Sequence, residues 1–161
     1  MVATTHAREA DTWDAQTGKL LHRFTGHRSL VTDAEFSPDS RMLVTASDDH
    51  DGRVWDVASG RLLHVLRGHF FPVRSAAFSP RGRWIVTASQ FSGGLWDADN
   101  GQLLFYLQGH TKPLTTATFS PAGDWIVTGS DDGTASVFLC DVCRDLAGLR
   151  QIATERLHSI H

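Results

Sequence analysis

The fold is decided by residues 26–56, which read GHRSLVTDAEFSPDSRMLVTASDDHDGRVWD. This stretch holds three landmarks: Gly26-His27, Phe36-Ser37-Pro38 and Trp55-Asp56. Gly-His returns at residues 68–69 and 109–110, Phe-Ser-Pro at residues 78–80 and 119–121, and Trp-Asp at residues 13–14 and 96–97. Three independent landmarks that share steps of 42 and 41 residues indicate an internal structural repeat.

The text between the landmarks predicts short β-strands. Residues 30–36, 42–47, 53–57 and 62–66 are rich in Val, Leu and Phe and are separated by turn sequences such as Ser-Pro-Asp and Ala-Ser-Gly. Four short strands in about 40–45 residues, marked by Gly-His and Trp-Asp, are typical of one propeller blade. In these motifs the chain resembles the WD-repeat family over residues 10–140. The resemblance implies an all-β partial propeller of WD repeats, about three blades plus flanking strands.

The blade count is unusual. In WD-repeat proteins the strand before Gly-His forms the outer edge of the preceding blade. The resemblance therefore implies two strands from residues 9–25, four each from residues 30–66 and 72–107, and three from residues 113–139. That makes thirteen strands, whereas a closed propeller needs typically 4–8 blades. We therefore expect self-association, or further blades from a longer chain.

The two ends of the chain are predicted to lie outside the repeats. Residues 1–8 are interpreted as an N-terminal tail and residues 9–139 as the propeller segment. Apolar residues of 140–161 recur at steps near three and four, which predicts a short amphipathic helix that caps the propeller. This tail looks like the C-terminus of bacterial WD-repeat proteins that carry a signalling ATPase or protease-like domain. The alternative function is thus an architectural C-terminal piece of such a protein.

Each repeat places His, Thr, Asp and Trp at fixed positions, with an 18-residue step from His to Thr. The sets are His27, Thr45, Asp49 and Trp55; His69, Thr87 and Trp96, with Phe91 in place of Asp; and His110, Thr128 and Asp132, with Phe138 in place of Trp. A hydroxyl, an imidazole and a carboxylate are also the parts of a nucleophilic triad. A catalytic triad would occur once rather than in every blade. The family resemblance implies instead a buried hydrogen-bonded tetrad that fixes the packing of each blade.

The candidate partner-binding rim follows Gly-His and the turn after the second strand of each blade. Its residues are Arg28, Asp48, Phe70, Phe71, Arg74, Gln90, Lys112 and Asp131. Phe70 and Phe71 stand where the other repeats carry polar residues, and exposed aromatics are enriched at interaction hot spots. Two interpretations remain open: they form a contact patch, or they pack against the unusual Phe91 turn.

Composition excludes several functions. A net charge of -3 and a pI near 6.3 give no electrostatic attraction to nucleic acid or an anionic membrane. There is no apolar run of about 18 residues and no signal peptide, and two cysteines are too few for a disulfide framework, so a cytoplasmic location is expected. Cys140 and Cys143 have metal-ligand spacing, but a zinc site needs about four ligands, and a structural cap is the favoured interpretation.

No single-copy nucleophile, phosphate-binding loop or metal set is present in the sequence. We therefore predict no enzymatic activity, no cofactor and no metal. The expected function is a scaffold that binds a protein or peptide through the propeller rim.

Overall fold

The computed structural model describes residues 1–140, which form fourteen strands in four antiparallel sheets. The first sheet contains β1 (Val2–His6), β2 (Glu9–Trp13) and β3 (Leu20–Thr25). The second contains β4 (Val31–Phe36), β5 (Met42–Ser47), β6 (Gly52–Asp56) and β7 (Leu62–Leu66). The third contains β8 (Ser75–Phe78), β9 (Trp84–Ala88), β10 (Gly93–Asp97) and β11 (Leu103–Leu107). The fourth contains β12 (Leu114–Phe119), β13 (Trp125–Ser130) and β14 (Ala135–Leu139). The expected all-β partial propeller is confirmed.

The prediction of an N-terminal tail over residues 1–8 is wrong. Val2–His6 forms β1 and pairs antiparallel with β2, in a register that runs from Val2 opposite Trp13 to His6 opposite Glu9. Ala7 has a φ of 46° and closes the tight turn between the two strands. The first sheet thus has three strands rather than two, and residues 1–140 contain fourteen strands rather than thirteen. A polar strand such as β1 carries no apolar run that would predict it; its backbone hydrogen bonds to β2 hold it in place.

The core lies between successive sheets. Alternate residues of one strand face opposite neighbours, as expected from the two-residue period of a strand. Leu43 of β5, together with Trp55 of the same sheet, packs against Phe24 of the first sheet. The next residue, Val44, packs against Ile85 of the third sheet. A further cluster joins the third and fourth sheets. Each inner sheet is therefore apolar on both faces and needs a sheet on each side.

Repeated backbone hydrogen bonds also join neighbouring sheets. The N–H groups of Val31, Val73 and Leu114 donate to Ala7, Ser47 and Ser89 of the preceding sheet. In addition, the Asp33 carboxylate accepts a hydrogen bond from the Ala76 N–H at 3.2 Å. Burial raises the pKa of the Asp33 carboxyl, and this N–H partly offsets the rise.

The helical cap predicted over residues 140–161 lies outside the described residues, apart from Cys140. The Cys140 N–H donates to the Asp124 carbonyl at 2.9 Å, and its side chain is buried in the cluster between the third and fourth sheets.

Candidate functional site

The Gly-His loops and the turns after β5, β9 and β13 lie at one end of the sheets, which we call the Gly-His rim. Hydrogen bonds hold each loop against its turn: Ser47 Oγ donates to the Ser29 carbonyl, Ser89 Oγ to Phe71, and Ser130 Oγ to Lys112. Because the same bond recurs in three sheets, the rim has a repeated and fixed framework, on which only the side chains differ.

The second sheet contains a complete tetrad. Trp55 Nε1 donates to Thr45 Oγ1 at 2.9 Å, Thr45 Oγ1 lies 2.7 Å from His27 Nε2, and His27 Nδ1 lies 3.0 Å from Asp49 Oδ2. The same Asp49 oxygen accepts the Arg28 backbone N–H at 2.8 Å. One carboxylate oxygen thus joins the buried network to the rim loop.

The charges of this tetrad follow from its surroundings. Burial lowers the pKa of His27, although Asp49 opposes this. Burial alone would raise the pKa of Asp49, but the hydrogen bonds from the Arg28 N–H and His27 hold it below its ordinary value. The pair is therefore a neutral imidazole beside a carboxylate. The Thr45 hydroxyl next to it is fully buried.

The third sheet lacks the acceptor. His69 Nε2 lies 2.7 Å from Thr87 Oγ1, and Trp96 Nε1 donates to the same oxygen at 2.8 Å. Phe91 stands where Asp49 stands in the second sheet, and the turn is one residue shorter. Within residues 1–140, His69 Nδ1 is buried without a hydrogen-bond partner, and burial lowers the pKa of His69 to about 4.

The fourth sheet lacks the tryptophan. His110 Nε2 lies 2.9 Å from Thr128 Oγ1, and His110 Nδ1 lies 3.1 Å from Asp132 Oδ2. Hydrogen bonds, that from the Thr134 hydroxyl foremost, hold the pKa of Asp132 far below its ordinary value. Phe138 is half-buried against the core and brings no N–H to Thr128.

Around the rim, the predicted contact residues differ in exposure. Phe70 is 85% exposed and Phe71 is 41% exposed. Arg28, Arg74, Lys112 and Asp131 are exposed, and Asp48 and Gln90 are half-buried. The ring of Phe71 contacts that of Phe91 edge to face, with centroids 5.5 Å apart. The packing interpretation is therefore confirmed for Phe71, which lies against the Phe91 turn. Phe70 projects into solvent, and its role in a contact patch stays a prediction.

The repeats of this chain match a known protein family. The family model described as WD domain, G-beta repeat matches residues 18–56, 60–97 and 101–138, more than half of the chain. The chain belongs to the WD-repeat family. Proteins of this family are typically non-enzymatic scaffolds that mediate protein–protein interactions.

Curated relatives of this WD-repeat chain match it over short regions. A human protein named angio-associated migratory cell protein is 43% identical over 42 residues, which are 26% of this chain and 10% of the relative. Eukaryotic translation initiation factor 3 subunit I of Bombyx mori is 43% identical over 42 residues, 26% of this chain and 13% of the relative. The match thus spans about a tenth of the length of these relatives. Both come from eukaryotes, and the predicted resemblance to bacterial signalling proteins stays a prediction.

The first WD sheet contains part of a tetrad that the sequence reading missed. Trp13 Nε1 donates to Thr4 Oγ1 at 2.8 Å, as Trp96 does to Thr87 in the third sheet. The nine-residue step from Thr4 to Trp13 equals that from Thr87 to Trp96, so a signal was present. This signal contradicts the interpretation of residues 1–8 as a tail.

A cluster of possible metal ligands lies on the outward face of this first sheet. Ligand atoms of His6, Glu9 and Asp11 lie within 4.8 Å of one another. Arg23 Nε, however, lies 2.9 Å from Asp11 Oδ1 and 3.3 Å from Glu9 Oε2. The guanidinium already compensates these carboxylates, and the cluster is explained as an ion-pair network around the buried Asp11.

Two cavities open at the other end of the sheets, where the Phe-Ser-Pro turns lie. One, of about 510 Å³, is lined by residues that include Leu21, Arg41 and Val57 between the first and second sheets. The other, of about 390 Å³, includes Met42, Arg81 and Arg83 between the second and third sheets. Neither contains a tetrad residue. Among residues 1–140, no helix is long and apolar enough to cross a membrane.

Proposed function

We propose that this WD-repeat chain is a non-enzymatic scaffold whose Gly-His rim binds a protein or peptide. The observation that carries the proposal is Phe70, a large aromatic side chain that is 85% exposed on a loop fixed by hydrogen bonds. A rigid, exposed aromatic loses little conformational entropy on binding and buries much apolar area.

The neighbours of Phe70 support this site. Phe71, Phe91 and Leu30 are apolar rim residues that are 41%, 46% and 50% exposed. Arg28, Arg74 and Lys112 place positive charge on the same rim. An apolar centre bordered by charged side chains matches the usual composition of a protein-binding surface. The net charge of -3 favours a protein or peptide over nucleic acid or an anionic membrane.

The proposal is tested by selecting peptides from a displayed random library against the full 161-residue chain. We expect selected peptides to lose about tenfold or more in affinity with Phe70→Thr, which installs the side chain that the fourth-sheet repeat carries at position 111. Leu104→Thr, at an exposed apolar position of β11, is the matched control and should leave affinity unchanged. Peptides that bind Phe70→Thr as tightly as the original chain would refute rim binding.

A second role, assembly, is favoured by the outward face of the fourth sheet. Val137 is 61% exposed there, whereas Leu95 and Val54 at the same repeat position are fully buried by the next sheet. Trp125 is 44% exposed, against 8% for Trp84. We call the residues Trp125, Val127, Val137 and Leu139 the terminal face; they share one side because Trp125 pairs with Leu139 and Val127 with Val137. We propose that a second copy of the chain covers this face.

Light scattering on a sizing column tests the assembly role. A dimer or larger closed species that Val137→Asp converts to a 17.7 kDa monomer supports it. Leu104→Asp provides the control, since it adds the same charge to an exposed strand position on another sheet. A monomer over an about tenfold concentration range would exclude a second copy and favour an architectural piece completed by other blades.

A further inference from the structure

The third sheet has an incomplete polar site at the point where the exposed aromatics lie. His69 is 8% exposed, and its Nδ1 has no partner within residues 1–140. The Nε2 atom of His69 is held by Thr87 at 2.7 Å, the same distance that separates His27 from Thr45. Since Nε2 is fixed in the same way, the repeat equivalence assigns Nδ1 to the side of the Gln90–Phe91 turn, which corresponds to the side of Asp49 in the second sheet.

The second and fourth sheets show which group lies beside the histidine Nδ1 atom. Asp49 Oδ2 accepts hydrogen bonds from His27 Nδ1 at 3.0 Å and from the Arg28 N–H at 2.8 Å. Asp132 Oδ2 lies 3.1 Å from His110 Nδ1 and receives the Thr111 N–H at 3.0 Å. In both sheets, one carboxylate oxygen accepts two hydrogen bonds at the base of the rim loop.

The third sheet keeps both donors and has lost the acceptor. Phe70 stands at the position of Arg28 and Thr111, and its backbone N–H donates to no acceptor within the described part of the chain. The turn has also lost its negative charges: Asp48-Asp49 and Asp131-Asp132 correspond to Gln90-Phe91. An anion placed at the position of the missing Asp would therefore meet two donors and no carboxylate of the same turn.

We propose that the third-sheet rim binds a carboxylate of the partner, which occupies the position of the missing Asp and accepts hydrogen bonds from His69 Nδ1 and the Phe70 N–H. An apolar group beside that carboxylate packs on Phe70 and Phe71. The partner is thus a peptide segment that presents an acidic side chain or a terminal carboxylate next to an aromatic or aliphatic residue. This inference rests on the proposed rim function and specifies its ligand chemistry.

Access to the buried Nδ1 requires the Gln90–Phe91 turn to move outward. Phe91 is already 46% exposed, so the movement uncovers the remaining part of its side chain and breaks its edge-to-face contact with Phe71. The apolar group of the partner replaces that contact on Phe71. The buried imidazole gains a charge-assisted hydrogen bond, which is stronger than one between neutral groups. The carboxylate also selects the tautomer that carries the proton on Nδ1, which is the tautomer that His27 requires to donate to Asp49.

The test uses the full isotope-labelled chain and phenylacetate as the probe, followed by nuclear magnetic resonance of the histidine ring nitrogens and backbone amides. We expect saturable downfield shifts of the His69 Nδ1 proton and the Phe70 amide. His27 and His110 are internal controls, because Asp49 and Asp132 already occupy their acceptor positions. Phenylacetamide, a neutral probe of the same shape, should bind about tenfold more weakly or not at all.

Two variants separate the parts of the site. Phe70→Thr should weaken phenylacetate binding while His69 still responds at saturation. Replacing Gln90-Phe91-Ser92 with the Asp-Asp-His-Asp sequence of residues 48–51 supplies an internal carboxylate and should abolish binding in a folded chain. Equal shifts at all three histidines, no shift at His69, or equal affinity for phenylacetamide would each overturn the inference. If selected peptides depend on Phe70 while phenylacetate leaves His69 unchanged, the rim function stands and the carboxylate site is refuted.

Discussion

The ring of Phe71 lies edge to face on the ring of Phe91, with an interplanar angle of 83° and centroids 5.5 Å apart. The two residues come from different loops of the third sheet, so the contact joins the Gly-His loop to the shortened turn. It leaves Phe70 as the side chain free to contact a partner. The aromatic pair thus divides into one residue that fixes the loop and one that is presented to solvent.

This division predicts that alanine substitutions at Phe71 and Phe70 differ in their effect on stability. Phe71→Ala should lower the free energy of unfolding by about 0.5–1.5 kcal/mol through loss of the aromatic contact, with a further loss from uncovered apolar area. Phe70→Ala should change it by less than about 0.5 kcal/mol, because the side chain is already exposed. Urea denaturation of both variants measures the difference. Equal destabilisation would mean that Phe70 is also packed.

The tetrad of the second sheet should contribute strongly to stability. Thr45→Val keeps the side-chain shape but leaves the Trp55 N–H and His27 Nε2 without a partner, each at a cost of about 1–3 kcal/mol. Thermal unfolding should therefore shift markedly downward. Thr5→Val, at an exposed position of β1, is the matched control and should have little effect. A Thr45→Val chain as stable as the control would contradict the structural role of the tetrad.

His69 should make the protein sensitive to mild acid. Its pKa is about 4 in the folded chain and near the ordinary value of 6.5 in the unfolded chain, so the unfolded chain binds the proton first. Stability from this group is present above pH 6.5 and falls as the pH approaches 4, by about 3 kcal/mol in all. Burial raises the pKa of Asp33, so protonation of this carboxyl acts in the opposite direction. Histidine ring titration by nuclear magnetic resonance should show His69 still neutral at pH 5, and a titration near 6.5 would disprove the effect.

Charged substitutions in the strand core should unfold the chain. Val31 and Phe78 are 3% and 6% exposed, and an aspartate at either position buries an unpaired charge. We expect Val31→Asp and Phe78→Asp to abolish the cooperative transition seen by circular dichroism. Val137→Asp, at an exposed strand position, should remain folded. Retention of a cooperative transition by both core variants would show that these strands tolerate a charged side chain at a core position.

The repeat could be read from the sequence because its landmarks are local. Gly-His, Phe-Ser-Pro and Trp-Asp recur at fixed steps. The strands between them are short apolar runs, and in the second sheet their predicted ends agree with the structure to within one residue. The sets of His, Thr, Asp and Trp residues follow from the same fixed steps, and the structure brings the residues of each set within hydrogen-bond distance. Strand β1 is not predicted from the sequence, because its five residues are mostly polar and exposed. Only its pairing with β2 stabilises it as a strand.

The sequence by itself determined the blades, their order and the positions where a tetrad residue is replaced, since each depends on residue identity at a fixed repeat position. Only the tertiary structure decided which consequences those replacements have. Whether Phe91 covers Phe70, Phe71, both or neither depends on how the Gly-His loop and the turn approach each other in space. The structure packs Phe71 on Phe91, exposes Phe70 and leaves His69 Nδ1 without an acceptor in residues 1–140. The exposure of Val137 likewise depends on whether a neighbouring sheet covers it, a property of assembly that no local pattern encodes.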